Sequence, residues 1–236
     1  MKILIVDKKI TNECEKALEK EGFYLIKLPP DPSLGEAIAS HPDTVMFYSG
    51  GEIITTADYC DVATYVFSDL REMVPSIRIT FTSDVRSHRY PDDCKMNALI
   101  IEKKIFCKTD SISEAITNYA KVNGFEMIHT NQGYPACSVL AFGASAITAD
   151  PGLASVLSEN GVKVTLIGQG SISLPPYEYG FIGGASGVVD NKVYFFGDIK
   201  KHPDCDAICD AITNEGFIPV SLSDEPLRDL GGIISL

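Results

Sequence analysis

No apolar run in this chain is long enough to span a bilayer. The longest uncharged stretch, around Asn131–Ala149, contains Gly, Pro, Ser and Thr and reads as loop plus hairpin. There is no CxxC pair, and the seven cysteines are an odd number in a chain of 236 residues. Reduced thiols and a cytosolic (cytoplasmic) protein are therefore expected. No signal peptide is expected either: the N-terminus carries Lys2, and its apolar run is broken by Asp7-Lys8-Lys9. No Gly/Ser/Pro-rich linker or block of one charge sign divides the sequence, so a single domain over 1–236 is expected. Positive charge is scarce, with 20 Lys and Arg against 32 Asp and Glu, a net charge of −12. That argues against nonspecific binding of nucleic acid or anionic membrane. It is compatible with a small cationic ligand, although acidic surfaces also serve solubility.

What is present is a repeated unit of hairpin, helix and third strand. Thr44–Tyr48 and Ile53–Thr55 flank the turn Ser49-Gly50-Gly51-Glu52. Ala98–Ile101 and Ile105–Cys107 flank Glu102-Lys103-Lys104. Ser138–Phe142 and Ala146–Thr148 flank Gly143-Ala144-Ser145, and Gly187–Val189 and Val193–Phe196 flank Asp190-Asn191-Lys192. Two short apolar runs around a turn are the signal of a hairpin. Helices are predicted at Glu13–Glu21, Ala57–Leu70, Ser111–Asn123, Pro151–Asn160 and Asp204–Glu215. Asp110-Ser111 and Asp150-Pro151 supply start signals. Gly22, Gly124, Gly161 and Gly216 stand at helix ends, each followed at once by a strand. A repeat of about 40–55 residues implies copies stacked about an axis.

Five helices and five third strands leave one hairpin incomplete among four complete ones. Pairing Ile233–Leu236 beside Lys2–Val6 would supply it and remove two exposed edges. The fold class expected is α/β, a five-bladed α/β propeller whose ring is closed by the N- and C-terminal strands. A doubly wound sheet is the rival and predicts longer helices and single buried strands.

In such a ring the segments after the third strands converge: Pro29–Asp43, Thr82–Asn97, Thr130–Cys137, Gly168–Ser186 and Ser223–Gly232. His41, Asp43, Asp93, Asn97, Cys137, Ser186 and Asp229 would occupy comparable positions around one axis. Cys137, at a loop–strand junction, reads as a nucleophile if a histidine is near, and otherwise as a buried inert thiol. His41-Pro42-Asp43 enters a strand, where a period of two turns both polar side chains to one face. That suits a general acid/base with an anion for a cationic group. The bland alternative is a turn-forming loop. His202-Pro203-Asp204 repeats the tripeptide at a helix start and reads as structural, while His88 and His129 have no partner pattern. Cys205 and Cys209 share a helix face, where core packing is favoured over a metal site. The glycines of Gly180-Phe181-Ile182-Gly183-Gly184-Ala185-Ser186-Gly187 precede a hairpin rather than a helix, so the nucleotide-binding reading fails. They would instead allow close approach of backbone at the axis. Tyr179 and Phe181 are candidates to stack on a planar ligand or to belong to the core.

With these residues in view, the chain resembles the pentein fold of guanidino-group-modifying enzymes over essentially its whole length. Leu28-Pro29-Pro30-Asp31-Pro32-Ser33-Leu34 is similar to the first interblade loop of the dimethylarginine dimethylaminohydrolases. Pro91-Asp92-Asp93 with Asn97 resembles a later loop of theirs, and Cys137-Ser138-Val139-Leu140 the segment holding their nucleophile. His41-Pro42-Asp43-Thr44-Val45 is similar to the His-x-Asp strand of the arginine deiminases. The chain departs from those enzymes at its C-terminal loop, Asp229-Leu230-Gly231-Gly232-Ile233-Ile234, which has neither Cys nor His where they carry the nucleophile. Cys137 and His41 match only if the blades are counted in rotated order.

The resemblance implies a hydrolase or transferase for a guanidine or amidine, with Cys137, His41 and Asp43 catalytic. Asp93, Asn97, Tyr134, Phe181, Ser186 and Asp229 would bind substrate, and no metal or organic cofactor is expected. The ligand would be small and cationic or planar, with no nucleic acid or membrane partner. The alternative is a non-catalytic pentein-like module that binds a ligand or a protein.

Overall fold

The computed structural model describes residues 2–236. It contains five sheets of three strands each, all built the same way. In the second sheet Met46–Ser49 pairs antiparallel with Glu52–Thr56, which pairs parallel with Arg78–Thr82. Leu99–Ile101, Lys104–Cys107 and Glu126–His129 repeat the pattern in the third. Val139–Phe142, Ser145–Thr148 and Lys163–Leu166 form the fourth, and Ser186–Val189, Lys192–Phe195 and Ile218–Ser221 the fifth. In the first sheet the hairpin comes from both ends of the chain. Ile234–Ser235 pairs antiparallel with Ile3–Asp7, which pairs parallel with Tyr24–Leu28. A parallel pair needs a crossover, and a helix supplies it in every blade.

The middle strands explain why the hairpins read as unbroken apolar runs. Successive side chains of a strand point to opposite faces. Ile3 and Ile5 enter a core shared with the second blade, while Leu4 and Val6 enter one shared with the fifth. Ile53 and Ile54 divide in the same way between the first and third blades. Ala146 and Ile147 divide between the third and fifth. Five apolar clusters thus join each blade to the next, and the one holding Leu4, Val6, Tyr194 and Phe196 completes the circle. The expected five-bladed α/β propeller, closed by terminal strands, is what the chain forms.

Helix boundaries differ from expectation in two informative places. The stretch Ala57–Leu70 is two helices, Ala57–Val62 and Thr64–Met73, broken at Ala63 (φ −110°, ψ 27°). The Thr64 hydroxyl donates to the carbonyls of Cys60 and Asp61, competing with the helical ladder. His41-Pro42-Asp43 does not enter a strand: Pro42–Val45 is a helical turn with His41 at its N-cap, and the strand begins at Met46. Pro135–Ser138 is the same turn in the fourth blade. Proline at the first helical position favours a turn in both. The middle-strand threonines fix their ends, Thr55 donating to the Val45 carbonyl (2.7 Å) and Thr148 to that of Ser138 (2.9 Å).

Candidate active site

The two helical turns carry Asp43 and Cys137 to the axis. Imidazole nitrogen of His41, carboxylate oxygen of Asp43 and Sγ of Cys137 lie within 4.8 Å of one another. Asn97 binds the two turns together. Its Oδ1 accepts from the Ala136 N–H (2.8 Å), which fixes the amide so that Nδ2 donates to the Asp43 carbonyl (3.0 Å) and to Cys137 Sγ (3.2 Å). A donor aimed at sulfur favours a thiolate. The His41–Asp43–Cys137 group is also the one place among the described residues with the spacing of a metal site.

His41 is buried between two carboxylates. Nε2 is 3.6 Å from Asp7 Oδ2 and Nδ1 is 3.7 Å from Asp229 Oδ1. Neither ring nitrogen makes a hydrogen bond. Burial, reinforced by the positive charges of Lys9 and Arg228, pushes the imidazole down to about 3, so it is neutral near pH 7. Asp229 accepts from the N–H groups of Phe181 (2.9 Å) and Gly231 (3.1 Å), yet burial still lifts it to about 6. Burial, then Asp43 and Asp229, hold the Cys137 thiol well above its ordinary range. Asp43 is likewise raised by burial and by Asp229, while its contact with the thiol favours the carboxylate. The resting site therefore holds surplus acidic groups and no cation among them.

A cavity of about 550 Å³ opens over this group, with His41, Asp93, Tyr134, Cys137, Phe181 and Asp229 in its lining. Four of these are symmetry equivalents. His41, Asp93, Tyr134 and Phe181 each stand eight residues before the end of their hairpin's first strand, at Ser49, Ile101, Phe142 and Val189. The remaining candidates lie at other levels. Asn97 is fully buried and positions the two turns without lining the cavity. Asp43 and Ser186 line a second cavity, of about 330 Å³, formed by the first strands of all five blades. The Ser186 hydroxyl is spent on the Ile182 carbonyl (2.7 Å). Fivefold symmetry thus brings the seven candidates near one axis but not to one height. The reason is that, His41 and Asp93 apart, they stand at differing distances from their hairpins, Ser186 opening its strand and Asn97 lying closer to its strand than Asp93 does.

The glycines of the 180–187 segment allow the backbone approach expected of them. Gly184 donates its N–H to the Cys137 carbonyl (2.8 Å), and a Cβ there would lie 1.9 Å from Asp229 Oδ1. Asp229 is held by its two backbone donors, so moving it would break hydrogen bonds. Gly184→Ala is expected to cost about 1–3 kcal/mol through overpacking, seen as a lower denaturant midpoint, and to displace Asp229. Cys205 and Cys209, 3.9 Å apart, pack against the core beside Ile208 and Ile212.

Two contributors escaped sequence reasoning. Asp7 was legible only as a charge ending a strand that is otherwise apolar and wholly buried. Arg86 gave no local signal at all. Its guanidinium is buried, pairs with Asp31, and donates to Thr56 Oγ1 (3.0 Å) and to the carbonyls of Thr44 and Val45 (both 3.1 Å). It caps the very turn that presents His41 and Asp43.

No curated protein matches the chain by sequence. Solved structures do match its fold. An amidinotransferase from Microseira wollei in the saxitoxin biosynthetic pathway superposes with a TM-score of 0.57 at 14% identity, over 94% of this chain and 78% of that one. DDAH from Pseudomonas aeruginosa, as a cysteine-to-serine mutant complexed with citrulline, gives 0.56 at 9% identity over 94% and 92%. The C. jejuni agmatine deiminase gives 0.52 at 9% identity over 94% and 75%. Among the described residues no helix is long and apolar enough to cross a membrane. A family model described as "Family of unknown function (DUF6873)" matches residues 5–234. The chain belongs to that family, and its fold is the pentein fold.

Proposed function

We propose that the chain is an enzyme that breaks a carbon–nitrogen bond of a guanidine or amidine through covalent catalysis by Cys137. One observation carries the reading: thiol, imidazole and carboxylate within 4.8 Å of one another, two of them facing a cavity that also presents Asp93 and Asp229. The folds of the amidinotransferase, DDAH and the agmatine deiminase agree with it.

The steps follow from the charges. A cationic group enters between Asp93 and Asp229, which hold it by charge-assisted hydrogen bonds. Its charge favours the Cys137 thiolate, which burial and the carboxylates of Asp43 and Asp229 disfavour in the resting site. The thiol proton passes to neutral His41, and the imidazolium formed is stabilised between Asp7 and Asp229. Sulfur bonds to the central carbon, and His41 returns the proton to the departing nitrogen as the carbon–nitrogen bond breaks. His41 then takes a proton from water, whose oxygen bonds to the same carbon while the carbon–sulfur bond breaks and thiolate is regenerated. An acceptor amine in place of water makes the reaction a transfer. Asp43, behind the sulfur, orients the thiol rather than holding the substrate cation.

Affinity labelling tests this reading. 2-Chloroacetamidine, which carries the cationic group, is expected to alkylate Cys137 at least about tenfold faster than neutral iodoacetamide does, a gain worth about one pKa unit. Labelling should strengthen as pH rises through about 6, where Asp229 loses its proton and begins to hold the cation. Equal, slow labelling of all seven cysteines by both reagents would overturn the enzyme and favour a binding module.

A further inference from the structure

Resting on the function proposed above, we propose that the substrate is a guanidine or amidine that carries no carboxylate and whose remaining substituent is flat and apolar. The first half comes from the charges of the cavity. Its lining includes the carboxylates of Asp93, Glu178 and Asp229 and the imidazoles of His41 and His88, and neither lysine nor arginine. Lys9 and Arg228 act on His41 through space, but neither lines the cavity, and the Lys9 ammonium is held by the carbonyls of Glu36 and Ala37. An amino-acid tail entering here would lose water from its carboxylate and meet three carboxylates without a cation to pair with. A buried charge left unpaired is costly, and like charges reject the wrong partner.

The positive end has a waiting acceptor. Asp93 is 7% exposed, lines the cavity, and its Oδ1 has no hydrogen-bond partner. The neighbouring Tyr134 hydroxyl favours its charged form. Because Asp93 is the positional equivalent of His41, the two approach the axis at one height from adjacent blades.

The second half comes from size and surface. A cavity of about 550 Å³ far exceeds a bare guanidinium, so a substituent has to fill it. Its walls are aromatic. Tyr90 and Tyr134 meet with ring centroids 6.1 Å apart, and Tyr179 and Phe181 at 6.2 Å with planes at 86°. Leu174 and Ile38 close the remaining side. Such surfaces take a flat apolar group by stacking and edge contact.

Calorimetric titration of the Cys137→Ser protein tests the proposal without turnover. Two pairs of probes are used: benzylguanidine against 4-(guanidinomethyl)benzoate, and agmatine against arginine. In each pair the member without the carboxylate is expected to bind at least about tenfold more tightly. Phe181→Ala, made in the same background, should weaken benzylguanidine about tenfold and leave agmatine within about threefold, so a loss for both would mark a structural defect and refute the stacking role. Carboxylate-bearing members that bind as tightly as their partners overturn the inference and leave Cys137 chemistry standing. No binding by any of the four overturns the inference as well. If 2-chloroacetamidine also fails to label Cys137 in the unmodified protein, the proposed function falls with it.

Discussion

Arg86→Ala is expected to destabilise the protein by about 3–5 kcal/mol, the usual cost of stranding one member of a buried ion pair. Arg86 and Asp31 are 5% and 4% exposed, so water cannot replace the missing guanidinium. The loss would not stop at Asp31. Thr56 and the carbonyls of Thr44 and Val45 would each lose a donor, and the turn holding His41 and Asp43 would be loosened at its C-terminal end, where the Thr55 hydroxyl on the Val45 carbonyl would remain. A fall in melting temperature of about 10 °C is anticipated for a chain of this size. A double-mutant cycle with Asp31→Ala isolates the pair. If Arg86→Ala costs less than about 1 kcal/mol, the guanidinium is not holding the turn.

Cys137→Ser is expected to abolish covalent labelling at that position and to lower turnover of accepted guanidines by about 10⁴-fold or more. A hydroxyl in place of the thiol is a far weaker nucleophile in a site with no cation to activate it. The fold should survive: the position is buried, the volume change is small, and Asn97 can donate to oxygen as it does to sulfur. An unchanged melting temperature with lost turnover separates the chemical role from a structural one. Unchanged turnover would sink the mechanism.

Much of the architecture was legible because each blade states it locally. Hairpin turns, a helix and a glycine cap recur, and Gly124 does adopt the left-handed conformation at its helix end (φ 68°). Closure was legible because a missing hairpin had to come from somewhere, and Ile234 does pair with Ile5. The convergence of His41 and Cys137 followed from that ring, although they lie far apart in sequence. What could not be read was height along the axis. The period-two reading of His41 and Asp43 failed because Pro42 starts a helical turn, which sends the imidazole toward one cavity and the carboxylate toward the other. Asp7 and Arg86 were missed for a related reason: their partners are brought by other blades, and no spacing in their own segments encodes them.

A crystal structure of the protein after treatment with 2-chloroacetamidine tests the central claim most directly. Density continuous with Cys137 Sγ is expected, with the amidinium nitrogens against Asp93 and Asp229 and the His41 ring within hydrogen-bonding reach of the adduct. An adduct on another cysteine, or an imidazole and thiol that do not share one cavity, would contradict it.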